Sequence, residues 1–266
     1  MNLVDLYIKG DSRFGRLYKS AQGIYANAFH TDEKEGGRTV KGYFDGMKAG
    51  EYGRDAFFYM VPALAGDKAA GMFSFDVLAP EEGAMGVMFD GYQAVSVKRR
   101  GKGIARGLFN AGLEAAVMHA RSNGYEIKYV FGELKRPVDD EQKGKAKAVG
   151  RIRQGVVPVV EQEDGSYKVL YYAQPDLEKG AEEVPMMPVF SVLEDGQAVL
   201  APPQLPAEEV RGVINRIMDS YSEAPYAVKE QIDGIRNAVA ASIGSAGFLK
   251  MVPIAETIGM EQDGKR

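Results

Sequence analysis

The stretch Val95-Ser96-Val97-Lys98-Arg99-Arg100-Gly101-Lys102-Gly103-Ile104-Ala105-Arg106-Gly107-Leu108 decides the fold of this chain. Before it, Met85 to Val97 reads as a long strand. After it, Ile104, Leu108, Ala111, Ala115 and Met118 share one helical stripe that ends near Asn123-Gly124. The join is a strand entering a glycine-containing bend that opens an amphipathic helix. The first N–H groups of such a helix have no partner inside it, and its dipole favours an anion there. Gly101 and Gly103 let the backbone come close to a bulky group, while Lys98, Arg99, Arg100, Lys102 and Arg106 gather positive charge at the same point. In physical terms this is a cradle for a pyrophosphate.

Outward from the bend, strand signals precede it in close order. Phe57-Phe58-Tyr59-Met60-Val61 is aromatic and apolar, Gly66-Asp67 suits a turn, and Ala69 to Leu78 reads as the antiparallel partner. Earlier still, Leu3 to Ile8 is predicted as a short strand. Phe14, Leu17, Tyr18, Ala21, Tyr25 and Phe29 make a helical stripe, with Asp11 or Ser12 as N-cap and His30 at its end. Residues 31–55 read as a polar, glycine-spaced loop with a short helix around Tyr43 to Met47.

After the motif helix, Ile127 to Leu134 reads as a buried strand stopped by Pro137, and residues 138–155 as charged and modestly helical. Two further strands are predicted, Tyr167 to Ala173 and Met186 to Leu193. Beyond Pro202-Pro203 the pattern turns helical, with stripes Val210, Ile214, Ile217, Tyr221 and Val228, Ile232, Ile235, Val239. The expected fold class is α/β (α+β), a mixed sheet flanked by helices, with a domain over 1–195 and a C-terminal helical extension over 204–260. The extension's apolar stripes need cover, from the main domain or from a second subunit in a homodimer.

Composition narrows the chemistry. The chain has 266 residues, no Cys, and only His30 and His119 as histidines. Thiolate metal sites, iron–sulfur clusters, disulfides and a cysteine nucleophile are excluded, and a histidine-rich metal centre is out of reach, so no metal is expected. The net charge of −4, from 33 basic and 37 acidic residues, argues against a nucleic-acid partner, although the basic bend keeps that alternative open. No run of about 18 apolar residues is present, so no membrane span is expected, and a cytoplasmic protein is the default.

Three readings of the bend compete. A P-loop needs G-x-x-x-x-G-K-[ST], a spacing that is absent here. A dinucleotide fingerprint, G-x-G-x-x-G, matches Gly101 to Ala105 and then meets Arg106 where the last glycine belongs. In the third reading, Arg100-Gly101-Lys102-Gly103-Ile104-Ala105 resembles motif A of the GNAT superfamily of N-acetyltransferases, [QR]-x-x-G-x-[GA], with Arg100, Gly103 and Ala105 in the defined positions. The order of elements over residues 1–195 is similar to that family's.

The resemblance implies a GNAT-like, mostly antiparallel sheet and acetyl-CoA, or another acyl-CoA, as cosubstrate. It implies that the pantetheine arm lies along the segment Val95, Ser96, Val97, pairing with the main chain of Val95 and Val97. The pyrophosphate would sit on the amides of Gly101, Lys102, Gly103, Ile104 and Ala105, with Arg99, Arg100, Lys102 or Arg106 reaching its oxygens. A small-molecule or peptide amine would then attack the thioester directly, which needs a proton acceptor and a donor for the departing thiolate.

Asp90 lies where some family members keep a carboxylate base, although Asp90-Gly91 also suits a strand-end turn. Glu133 is a second candidate if strand parity turns it inward; a surface ion pair with the basic residues after it is the alternative. Tyr92 shares a face with Asp90 if the pleat is regular. Where the family often has a proton-donating tyrosine, in the helix after the strand of Glu133, this chain has Arg151, a poor donor with a pKa above about 12. Tyr171 or Tyr172, or water, would substitute, or the chain would hold acyl-CoA as a regulatory ligand without turnover. His119, the aromatic group at 57–59 and Met186-Met187 read as packing.

Overall fold

The computed structural model describes residues 2–29, 37–80, 85–174, 184–222 and 228–263. The end of the first predicted helix at His30, and residues 31–36 of the predicted loop, lie outside the described residues. The chain divides into two compact units, Met1–Val130 with Asp195–Gln197, and Phe131–Glu194 with Ala198–Arg266.

In the first unit, helices α1 (Leu3–Ile8), α2 (Phe14–Ala28) and α3 (Gly37–Ala49) precede an antiparallel meander of β1 (Ala56–Ala65), β2 (Lys68–Leu78) and β3 (Gly86–Val95). Helix α4 (Ile104–Ser122) then leads to β4 (Ile127–Lys135), whose first part, to Val130, belongs to this unit. Gly86 N–H donates to the Glu126 carbonyl at 3.0 Å, so β3 and β4 start side by side, as a strand–helix–strand crossover requires.

The predicted strand at Leu3 to Ile8 is a helix. Asn2 caps it, its side chain accepting from Val4 N–H at 2.9 Å, and Leu3, Val4 and Leu6 are buried. A six-residue apolar run is ambiguous between the two periods, and a cap with Asp5 in the first turn tips it. The short helix expected around Tyr43 to Met47 is present and extends back to Gly37 and on to Ala49, because Val40 and Phe44, one turn apart, both enter the core. Arg13 occupies the N-cap position of α2. Asp11 nevertheless holds the start, accepting from Arg13 N–H at 2.8 Å and pairing with its guanidinium.

Helix α4 lies tight on one face of the meander. A Cβ added at Gly112 would meet Phe73 at 2.4 Å and Phe75 at 3.1 Å, so glycine sets the approach distance there. Phe73, Phe75 and Phe109 are all but fully buried. Each is worth roughly 1.5–3 kcal/mol of apolar burial. Tyr25 of α2 packs on the ring of Tyr92 from β3, with centroids 4.9 Å apart.

Of the three register shifts along β2, two bear on the site. Phe57 and Phe58 together oppose Asp76, with Phe58 at φ +52°, and Gly91 and Tyr92 together oppose Ser74. Each bulge leaves an N–H out of the ladder, and a side chain of β2 meets it. Asp76 Oδ1 accepts from Phe58 N–H at 2.7 Å, and Ser74 Oγ accepts from Tyr92 N–H at 3.3 Å.

The second unit holds the end of β4 and, beside it, β8 (Pro185–Glu194), then β5 (Val156–Glu161), β11 (Phe248–Pro253) and β10 (Gln204–Pro206). Short strands β6 (Tyr167–Val169), β7 (Tyr172–Ala173) and β9 (Gln197–Val199) pair at the sides, with β9 falling partly in the first unit's share of the chain. Helices α5 (Asp140–Arg153), α6 (Ala207–Ser222), α7 (Lys229–Ile243) and α8 (Ile254–Asp263) complete the unit. The predicted strand Tyr167 to Ala173 is two short pieces, and β5 was not legible. Its Val156-Val157-Pro158-Val159-Val160 run has no alternation because it is buried on both faces.

Ala146 of α5 and Ile254 and Ile258 of α8 share one core with Val157, Val159, Met187, Val189 and Val252. The C-terminal part is helical as expected, and it also supplies β10 and β11, which pair antiparallel with each other and, through β11, with β5. Its apolar stripes are covered within the chain. Val210, Ile214, Ile217, Ile232, Ile235 and Val239 are buried, and α6 and α7 pack on one another. The architecture is therefore a mixed α/β fold with a mostly antiparallel sheet flanked by helices.

Candidate functional site

The bend after β3 is a strand-to-helix join as expected, but the strand ends two residues short of the predicted Met85 to Val97, because Val97 opens a 3₁₀ turn. The strand stops at Val95, where Gly71 of β2 is its partner, and Ser96 N–H donates to the Ala70 carbonyl at 2.9 Å. Val97–Arg99 then forms one 3₁₀ turn, closed by Arg99 N–H to Ser96 O at 2.8 Å and Arg100 N–H to Val97 O at 3.3 Å. The Val97 carbonyl thus serves the turn, and the residue is 74% exposed.

Gly101 and Gly103 have φ of +76° and +72°, a left-handed conformation that costs other L-residues about 1–2 kcal/mol. Gly103 is the N-cap of α4 and has no side chain to cap it. The first intrahelical bond runs from Gly107 N–H to Gly103 O at 3.1 Å, so the amides of Ile104, Ala105 and Arg106 come ahead of the ladder. Gln93 of β3 ties this first turn to the strand, its Nε2 donating to the Ala105 carbonyl at 2.8 Å. Nothing lies within 4 Å of a Cβ built on Gly101, Gly103 or Gly107. Lys98, Arg99, Arg100, Lys102 and Arg106 are all exposed around that opening. Amides ahead of the ladder at the positive end of a helix, ringed by cations, are the donor set a diphosphate needs. The cradle residues therefore fit the phosphate portion of an acyl-CoA.

Asp90 is 3% exposed and pairs across the ladder with Phe75, on the face covered by α4. Tyr92 lies on the other face, in an aromatic group with Tyr25, Phe29 and Phe58 at centroid distances of 4.9, 5.1 and 6.2 Å. The bulge at Gly91–Tyr92 breaks the regular pleat, so the expected shared face of Asp90 and Tyr92 does not form. On the same side as Tyr92, burial raises the Asp76 carboxyl to about 7; the Phe58 amide pulls it down and the nearby Asp55 charge adds to the rise. His119 uses both ring nitrogens in packing contacts, Nδ1 with Tyr59 Oη at 3.1 Å and Nε2 with the Arg54 carbonyl at 2.9 Å.

In the second unit, Glu133 is no surface ion pair. Each of its carboxylate oxygens accepts from a phenol, Oε1 from Tyr172 on β7 and Oε2 from Tyr221 on α6, the latter at 2.8 Å. Burial pushes the Glu133 carboxyl above its usual range, and the two phenols pull it back. The Tyr172 hydroxyl is held well above the ordinary phenol value by burial, by the Glu133 charge and by Tyr221.

Strand parity separates the two tyrosines that the sequence left as alternatives. Leu134 and Tyr171 pack on the core formed with α5 and α8, so Glu133 and Tyr172 share the opposite face. Tyr171 instead lies under Arg136, whose guanidinium is 5.4 Å from the ring centroid. Arg151 on α5 is exposed. Tyr221 was legible only as the last member of an apolar stripe.

Among the described residues, no group of three or more His, Asp or Glu side chains is placed to hold a metal, and no helix is long and apolar enough to cross a membrane. No protein-family model and no curated protein matches the chain. Among solved structures, the chain is similar to a NatC complex bound to Gag peptide and CoA, at 13% identity over 69% of this chain and 95% of that one, with a TM-score of 0.41. YncA from Salmonella typhimurium, solved with acetyl-CoA, is similar at 16% identity over 69% and 91%, TM-score 0.42. A ribosomal-protein-alanine N-acetyltransferase from Brucella melitensis follows at 15% identity over 64% and 91%, TM-score 0.37.

Proposed function

We propose that this chain is an acyl-CoA-dependent N-acyltransferase of GNAT type, moving an acyl group, acetyl in the simplest case, from CoA to an amine. The observation that carries the reading is the open N-terminus of α4, reached through two left-handed glycines and ringed by five cations. The motif there, Arg100-Gly101-Lys102-Gly103-Ile104-Ala105, fits [QR]-x-x-G-x-[GA].

The cosubstrate supplies an acyl carbon activated as a thioester. The amine nitrogen bonds to that carbon, the C–S bond breaks, the amine gives up a proton and the thiolate takes one. We assign the proton acceptor to Asp90 or Glu133. Both are carboxylates of strands, and Glu133 is the better supported, since two phenols hold it in one orientation. We assign the donor to Tyr172, the phenol bonded to Glu133, with Tyr92 as the second phenol. The acceptor class is a small-molecule or peptide amine.

A second reading, an acyl-CoA-binding regulatory module, is favoured by Arg151 in place of the family's tyrosine. Free-thiol release from acetyl-CoA, measured with and without a panel of amines, separates the two. Thiol that rises with an amine supports transfer. CoA binding by calorimetry with no thiol from any amine supports the module, and no CoA binding at all rejects both.

A further inference from the structure

We infer that Tyr221, on the first helix of the C-terminal extension, is a positioning residue that fixes the carboxylate of Glu133, so that the extension is part of the catalytic apparatus. The inference rests on the reading of Glu133 as proton acceptor. Its geometric basis is the pair of bonds that occupies both carboxylate oxygens, one from β7 and one from α6. A carboxylate held at a single oxygen still rotates about its last torsion, whereas two donors from separate elements fix the plane of the group. Tyr172 comes from a two-residue strand, a weak support by itself. Helix α6 is sixteen residues long, buries Ile214, Ile217 and Met218 beside this phenol, and is locked to α7 by Arg236, which bridges Asp219 and Asp233.

The ionisable groups acting on Glu133 are Tyr172 and Tyr221. Arg236 of α7 pairs with both Asp219 of α6 and Asp233 of α7, and β8 carries no charge before Glu194. Both phenols donate to the carboxylate and so favour its charged form against the burial that opposes it. Loss of the Tyr221 hydroxyl must therefore make Glu133 easier to protonate, and free the carboxylate to turn.

The test uses the full chain with 13C-labelled glutamate carboxyls, compared among wild type, Tyr221→Phe, Glu133→Gln and Ser222→Ala. Glu133→Gln assigns the resonance by its disappearance, and Ser222→Ala, exposed on the same helix, reports any general disturbance of α6. In Tyr221→Phe the Glu133 titration midpoint rises by about 0.5–1 pH unit, the loss of one hydrogen bond to the charged form. The acidic limb of kcat/KM moves the same way, with KM for acetyl-CoA unchanged within about twofold. Ser222→Ala moves neither. A midpoint in Tyr221→Phe equal to wild type overturns the proposal, and so does a moved midpoint with a stationary acidic limb. Absence of thiol release by the wild type instead overturns the acyl-transfer reading, while the carboxyl titration still decides whether Tyr221 governs Glu133.

Discussion

The bend at residues 97–104 and the cluster around Glu133 are built on opposite plans. The bend is local: eight consecutive residues supply the turn, the glycines and most of the charge, and all its cations are exposed. The cluster is assembled from residues 133, 172 and 221, on a strand, an edge strand and a helix, with the Glu133 carboxylate and the Tyr172 phenol withdrawn from water. The difference matches the two tasks we assign. Holding a highly charged, flexible ligand needs accessible amides and cations that a few residues can present. Setting the protonation of one group needs a dry, fixed environment, which only several packed elements provide.

The comparison breaks most visibly at Gly103. A Gly103→Glu variant forces a left-handed backbone on a residue with a Cβ and puts a carboxylate at the helix mouth. CoA binding should fall by more than about 100-fold, with far-UV circular dichroism close to wild type and a melting temperature lower by only a few degrees, about what the left-handed strain costs. Undiminished affinity in calorimetry would falsify the cradle. Glu133→Gln should do the reverse, lowering kcat by about 10²- to 10⁴-fold while CoA affinity stays within about twofold. A parallel loss of both would mean that the two regions are not separable in function.

Asp76 sharpens the contrast, because it is a buried carboxylate with one backbone donor and a neighbouring acid in place of two phenols. Its folded-state pKa is raised from 3.8 to about 7, so the folded protein holds this proton more tightly than the unfolded chain. Its stabilising contribution is therefore full at low pH and is lost as pH rises from about 4 through about 7. Urea titrations of the wild type at pH 5 and pH 8 should show a decline to which Asp76 adds roughly 1–3 kcal/mol, and Asp76→Asn should flatten it while keeping the acceptor for Phe58 N–H. The smallest effect belongs to single cations of the bend. Arg100→Ala or Lys102→Ala should weaken CoA about three- to fivefold, and less at higher salt, because exposed charges share the load.

The legible parts of the molecule are those whose determinants lie close together along the chain. The β1–β2–β3 meander, α4 and its glycine entry, β4 and the two C-terminal helices follow from periodicity and turn residues. The misread parts are runs in which two periods compete. Leu3–Ile8 is a helix because Asn2 caps it, and β5 escaped notice because a strand buried on both faces shows no alternation. Among the candidate site residues, Glu133 depended on strand parity and Tyr172 stood as an alternative to Tyr171; the structure brings Glu133 and Tyr172 together. The separation of Asp90 from Tyr92 needed a bulge that no local signal announces.

The sequence by itself determined the glycine-hinged, cation-ringed bend, since glycine conformation, helix polarity and charge are properties of neighbouring residues. Only the tertiary structure decided which phenols reach Glu133. Residues 133, 172 and 221 are brought together by strand pairing and helix packing, and a tyrosine at the end of an apolar stripe carries no mark in the sequence of where its hydroxyl will find a partner.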